Sequence, residues 1–164
     1  MRLILVCGLP GTGKTTVAKK IADETGSFVF NTDVVRKELF EKPRYTDKEK
    51  ELVYKLLFEM AEKFLRSAKN VVLDGTFYKK GFRDGLKEIA KRMKSDFHLV
   101  EVRCDERILK KRVGKRKKKK TPSDADFEVY KKVKKEYEPI REKHFVVDTG
   151  KDWEKQIERF LKTI

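Results

Sequence analysis

The sequence of 164 residues is poor in cysteine, histidine and side-chain amides, with two Cys, two His, two Asn (Asn31, Asn70) and one Gln (Gln156). Cys7 and Cys104 make no disulfide framework, and a chain of this length builds a core without staples, so both read as reduced thiols in apolar runs. No apolar run approaches the roughly 18 residues of a membrane span. The apolar start LILVC is too short, and too soon followed by glycines, for a signal peptide. The expectation is one domain over residues 1–164, without linker or repeat, cytoplasmic and with no membrane partner. His98 and His144 lie in strand-like surroundings away from any motif and read as packing or surface groups rather than ligands.

Charge is what the chain has in abundance: 42% of its residues are Asp, Glu, Lys or Arg, and 42 basic against 27 acidic side chains leave +15. The excess is local. From Arg103 to Lys120 there are eleven basic and two acidic residues, so nine of the fifteen excess charges lie in this stretch. The remainder, rich in both Lys and Glu and poor in amides, has the composition of a thermophile's ion-pair surface. Its lysines are therefore not to be read one by one as ligand contacts.

Helical and strand patterns alternate along the chain. Arg2–Cys7 is a nearly continuous apolar run, the signature of a strand buried on both faces of a parallel sheet. Further strands are predicted at 28–30, 71–73, 97–104 and 145–147. Helices are predicted at 15–24, 34–40, 46–68, 82–93 and 123–137, with a last one from the cap Asp152 through Leu161. Thr46-x-x-Glu49 reads as a capping box for the third, with Leu52, Leu56, Met60 and Leu65 as its apolar stripe. Trp153, Phe160 and Leu161 look like the core face of the last helix. The fold class expected is α/β: a single-domain P-loop NTPase fold, a five-stranded parallel sheet with helices on both faces, and a basic lid over about residues 105–122.

Gly8-Leu9-Pro10-Gly11-Thr12-Gly13-Lys14-Thr15 matches G-x-x-x-x-G-K-[ST] between a predicted strand and a predicted helix, the context that gives this motif its meaning. The glycines let backbone N–H groups turn inward around phosphate oxygens, and the helix N-terminus adds its positive dipole end. Gly8, Gly11, Thr12, Gly13, Lys14, Thr15 and Thr16 are accordingly the nucleotide-binding candidates. Lys14 would reach the β- and γ-phosphates and Thr15 the Mg²⁺. ATP and Mg²⁺ are the cofactors implied. An N-K-x-D base-recognition run is absent, which argues against a GTPase, and the size fits a small phosphotransferase better than a motor ATPase.

Such an enzyme needs a base near the acceptor hydroxyl, a group to orient the acceptor, and cations over the moving phosphoryl. Asp33, just past the second strand, reads either as that base or as the cap of the helix it begins. Arg36, one turn on, reads as a clamp for an acceptor phosphate or as a solvated cation. Asp74 ends the third strand and reads as a metal or acceptor ligand, or as a turn cap. Arg112 and Arg116, four apart, share a helix face from which either could neutralise transition-state charge; a solvated basic helix is the alternative.

The P-loop, NTDVVR, VVLDGT and the lid followed by SDADFEVYKKVKKEYEPI resemble zeta-toxin-like and polynucleotide-kinase-like P-loop kinases of the adenylate-kinase-type group, from Arg2 to about Thr149. The resemblance implies Asp33 as general base, Arg36 on the acceptor's phosphate, and a lid arginine, Arg116 by its distance from Pro122 or else Arg112, on the transferring phosphate. The implied acceptor is a 5′-hydroxyl of RNA or DNA. The kinase domain of seryl-tRNA kinases is similar through GLPG, Asp33, Arg36 and Asp74-x-Thr76; that family carries a further tRNA-binding domain, for which this chain is too short. A metabolite acceptor, or an RNA-binding protein switched by nucleotide, are the other readings. Lys117–Lys120 would bind a polyanion in a salt-dependent way, but the run has no aromatic platform for base stacking; Tyr45, Phe77 and Tyr78 are the nearest candidates.

Overall fold

A computed structural model describes residues 1–116 and 127–164, with residues 114–116 described by their backbone alone. The lysine run, Pro122 and the expected helix start at Ser123 lie outside the described residues.

The elements follow the order β1 (Arg2–Cys7), α1 (Lys14–Thr25), β2 (Phe28–Asn31), α2 (Thr32–Leu39), α3 (Asp47–Arg66), β3 (Val71–Asp74), α4 (Lys80–Arg92), β4 (Asp96–Arg103), α5 (Glu106–Arg116), α6 (Phe127–Glu136), β5 (Phe145–Asp148) and α7 (Trp153–Leu161). The five strands form one sheet in the order β2-β3-β1-β4-β5, and every pairing is parallel. The chain thus has the single-sheet α/β fold expected of it, with β1 at the centre.

The alternation of side chains along each strand divides the core in two. Leu3, Leu5, Cys7, Val71, Leu73 and Leu99 face α3 and α4, where Val53, Leu57, Ala61, Leu65, Leu86 and Ile89 meet them. Ile4, Val6, Val72, Val100, Val102 and Val147 face α1 and α7, packing on Val17, Ile21, Ile157 and Phe160. Because both faces are covered, β1 needs apolar residues at consecutive positions, which is why RLILVC does not alternate. Burying each large aliphatic side chain contributes about 1.5–3 kcal/mol. Leu5, fully buried, is therefore expected to cost roughly 2–5 kcal/mol when replaced by Ala, read as a lower denaturant midpoint at unchanged slope.

Several local expectations shift. The helix after β2 starts at Thr32, two residues before Val34, because the Asn31 side chain accepts hydrogen bonds from the N–H groups of Asp33 and Val34 and so caps it earlier. Thr46 caps α3 through the Glu49 N–H, but Glu49 does not return to Thr46; its carboxylate accepts from the Arg44 and Tyr45 N–H groups. Tyr45, at φ 57, turns the loop so that these donors converge on it. Of the expected stripe on α3, Leu65 is buried and Leu56 and Met60 pack partly buried against the core, but Leu52 is 47% exposed, and Val53, Tyr54, Leu57 and Ala61 complete the buried face. Trp153 and Leu161 are only partly buried, and Ile157 and Phe160 carry the core face of α7. His98 packs edge-on against Phe160 at 6.1 Å, burial lowering its pKa, and His144 Nε2 lies 3.2 Å from the Glu101 carboxylate, so both are structural. Burial pushes the Cys7 thiol up to about 12.

Candidate functional site

In an open parallel sheet ligands sit beyond the carboxyl ends of the strands, where the connections diverge. Here β1 delivers Gly8, β2 delivers Asn31 and β3 delivers Asp74 to one edge. Gly8 has φ 144, and a Cβ there would stand 2.3 Å from the Val102 carbonyl oxygen, so only glycine lets the loop leave the sheet at this point. Gly13 caps α1 at φ 95 with no side-chain bond to the helix amides, and its carbonyl accepts from the Thr16 N–H at 3.1 Å, so the positive end of the helix dipole opens toward the cleft. The loop is braced from within: Thr12 Oγ1 and Lys14 Nζ each donate to the Leu9 carbonyl, at 2.9 and 3.0 Å.

Gly11, Gly13, Lys14, Thr15 and Thr16 line a cleft of about 430 Å³ together with Asp33, Arg36 and Asp74. Residues from positions 11 to 74 of the sequence thus share one cavity. Gly8 and Thr12 shape the loop from behind and do not line it.

Asn31 decides the second-strand alternatives. Since its side chain already caps α2, Asp33 is not the cap; it is half-buried in the first turn, facing the cleft. The same amide donates through Nδ2 to Asp74 Oδ2 at 2.5 Å, so Asn31 ties the end of β3 to the start of α2. Asp74 is fully buried, and its Oδ1 has no hydrogen-bond partner among the described residues. A buried carboxylate oxygen left without a donor is costly unless something else occupies that position.

Arg36 is not the solvated cation of the alternative reading. It is 6% exposed, held under the Tyr45 ring at 4.9 Å and 3.8 Å from the Glu49 carboxylate, while Nε and Nη1 make no hydrogen bond. Glu49, by capping the Arg44–Tyr45 turn, places the aromatic lid on Arg36. Beyond Arg36 the cleft is lined by Lys50, Tyr54 and Tyr78 on one side and by Val129, Lys132, Val133 and Glu136 of α6 on the other. Phe77, in contrast, is fully buried in the core.

Arg112 lies elsewhere. Its guanidinium donates to Thr149 Oγ1 and to the Thr149 carbonyl, both at 2.8 Å, and the Thr149 hydroxyl donates to the Thr12 carbonyl at 2.6 Å. It therefore braces the back of the phosphate loop on the β4–β5 side, beside a second cleft lined by Cys104, Asp105, Ile108, Gly150 and Lys151. The Arg116 side chain lies outside the described residues.

The chain matches the family model described as "AAA domain" over residues 3–140. It belongs to that family. An uncharacterized protein of Mycobacterium tuberculosis is 34% identical over 118 residues; the match covers 63% of this chain and 23% of that protein, so the chain spans under a quarter of its length. Among solved structures, a sugar kinase from Janibacter sp. superposes with TM-score 0.76 at 22% identity, covering 99% of this chain and 93% of that one. Kti12 of Chaetomium thermophilum, in complex with ADP-AlF3, superposes with TM-score 0.78 at 20% identity, covering 98% and 96%. These likenesses show the fold, a single parallel α/β sheet that carries a phosphate loop after its central strand. No helix among the described residues is long and apolar enough to cross a membrane.

Sequence reasoning passed over Asn31, though an Asn at a strand end two residues before a helical Asp is a cap signal. Replacing it separates its two bonds: Asn31→Ala should cost about 2–4 kcal/mol by losing both the cap and the donor to Asp74, whereas Asn31→Ser should recover roughly 1 kcal/mol of cap. Equal denaturant midpoints for the two variants would refute this division.

Proposed function

We propose that the protein is an ATP-dependent phosphotransferase that moves the γ-phosphoryl group to an acceptor hydroxyl, with a 5′-hydroxyl of RNA or DNA as the acceptor. The observation that carries this reading is the single cleft in which the phosphate loop, Asp33, Arg36 and Asp74 meet. The triphosphate lies along Gly8–Thr16, its charge met by loop N–H groups, the α1 dipole and Lys14. Thr15 and Asp74 are the residues that would hold Mg²⁺, and the partnerless Oδ1 of Asp74 fits that demand, since Mg²⁺ takes one or two protein ligands and completes its shell with phosphate and water. Bound there, the ion would neutralise charge on the β- and γ-oxygens.

Asp33 accepts the proton of the acceptor hydroxyl as its oxygen bonds to the γ-phosphorus. The bond from that phosphorus to the β–γ bridging oxygen breaks, and its electron pair leaves with ADP. Arg36, with donors unspent inside the protein, binds an anionic group of the acceptor and aims the hydroxyl. Arg116, from the lid, supplies positive charge to the moving phosphoryl, while Arg112 holds the loop through Thr149.

A small anionic metabolite is the second reading, favoured by the cleft volume of about 430 Å³, which is in the range of small-molecule sites and is closed on one side by α6. Incubation with γ-labelled ATP, Mg²⁺, 5′-hydroxyl oligonucleotides and pooled metabolites tests both. Label on the oligonucleotide supports the first reading, label only on a small molecule the second, and label on nothing but water rejects phosphotransfer.

A further inference from the structure

Arg83, on α4, is used by neither the phosphate loop nor the acceptor side, yet it is among the largest fully buried side chains of the described residues, 1% exposed. Among the described residues its bonds go to backbone carbonyls: Nη1 donates to Phe77 at 2.8 Å and to Tyr78 at 3.3 Å, and Nη2 donates to Glu138 at 3.0 Å. Its Nε has no partner, and the Tyr137 ring lies 6.0 Å away. Burying a guanidinium on neutral carbonyls costs far more than burying a Met or Leu of similar size, so stability alone does not explain its presence.

What the guanidinium joins is two segments far apart in sequence. Phe77 and Tyr78 form the connection from β3 to α4, with Phe77 at φ 44, a left-handed conformation costly for an aromatic residue. Glu138 follows α6. The two segments are bonded again by the Glu138 N–H donating to the Tyr78 carbonyl at 2.9 Å, and by the Lys80 N–H donating to the Glu138 carboxylate, which serves the start of α4, where Lys79 offers no side-chain cap. Tyr78 is one wall of the cleft beyond Arg36, and α6, through Val129, Lys132, Val133 and Glu136, is the other. A planar fork can hold two such segments at a fixed separation, which a flexible apolar side chain cannot.

We infer that Arg83 is a positioning residue that sets the width of the acceptor side of the cleft by cross-linking its two walls. This rests on the reading of that side as the acceptor's. Among the described residues Arg83 makes no bond to β1 or α1, on which the phosphate loop stands, and the loop meets the connection Arg83 holds only through the long Gly8 N–H bond to the Thr76 carbonyl at 3.4 Å, so its loss acts chiefly on acceptor and not on nucleotide.

The test compares Arg83→Met and Arg83→Lys with the wild type below the melting temperature of each, using ATP and a short 5′-hydroxyl oligoribonucleotide. Arg83→Met should raise KM for the oligoribonucleotide about tenfold or more and leave KM for ATP within about twofold; Arg83→Lys, able to reach only one wall at a time, should fall between. Amide exchange supplies a readout independent of activity: the Glu138 N–H and the α6 amides should exchange at least about tenfold faster in Arg83→Met, with β1 unchanged. Uniform loss of kcat with both KM values unaltered, or unchanged α6 exchange, overturns the inference. If the wild type transfers no phosphate to the oligoribonucleotide, that acceptor reading falls, and the exchange result alone decides the role of Arg83. If Arg83→Met does not fold, Arg83→Lys decides on both measurements.

Discussion

Asp33→Asn should lower phosphoryl transfer by about 10²–10⁴-fold while ATP still binds within about twofold of the wild type. The substitution keeps the size and the helix-compatible geometry of the side chain, and the cap of α2 is untouched because Asn31, not Asp33, accepts from the Asp33 and Val34 N–H groups. What is lost is a carboxylate able to take the acceptor's proton. Single-turnover transfer measured beside binding of a fluorescent ATP analogue separates the two. A variant that transfers phosphate at the wild-type rate removes Asp33 from the chemistry; one that melts well below the wild type restores a structural role.

Arg36→Met should raise the acceptor's KM by about 10–10²-fold, the loss expected for one or two hydrogen bonds from a charged donor. The substitution removes a guanidinium that is buried without hydrogen bonds at Nε and Nη1, so the resting fold loses little, and relief of the buried charge offsets part of the lost contact with Tyr45 and Glu49. An unchanged or higher melting temperature together with weakened acceptor binding is the expected pair of results. Weakened ATP binding with unaltered acceptor KM would show instead that Arg36 serves the nucleotide. Arg36→Lys should rescue only in part, because a point charge cannot replace a planar fork.

Much of this site can be read along the chain. The phosphate loop needs glycine at Gly8 and Gly13 because of what a Cβ would meet or what φ requires, and such constraints leave a local spelling. The five strands were legible for a similar reason: burial on both sheet faces demands short, nearly unbroken apolar runs. Boundaries were less so. The start of α2 depended on which of two neighbouring side chains turns back to the helix amides, and the N-terminal edge of the α3 face on whether Leu52 or Val53 turns inward, a choice that both satisfy equally well in sequence. Arg112 and Arg116 are four residues apart, but that spacing on a helix says only that two side chains share a side. That Arg112 reaches Thr149, on the far side of the phosphate loop, follows from β4 and β5 being neighbours in the sheet.

The sequence by itself determined the parallel α/β class, the phosphate loop with its strand and helix, and the candidacy of Asp33, Arg36 and Asp74. All of these rest on interactions within a few residues or on periodicities that burial imposes. Only the tertiary structure decided that Asp33 is not a cap, that Arg36 is buried beneath Tyr45 with donors to spare, that Asp74 keeps one carboxylate oxygen partnerless, and that Arg83 joins the connection after β3 to the end of α6. Each is a contact between segments brought together by strand order, and no local pattern records which distant carbonyl or ring a buried arginine will meet.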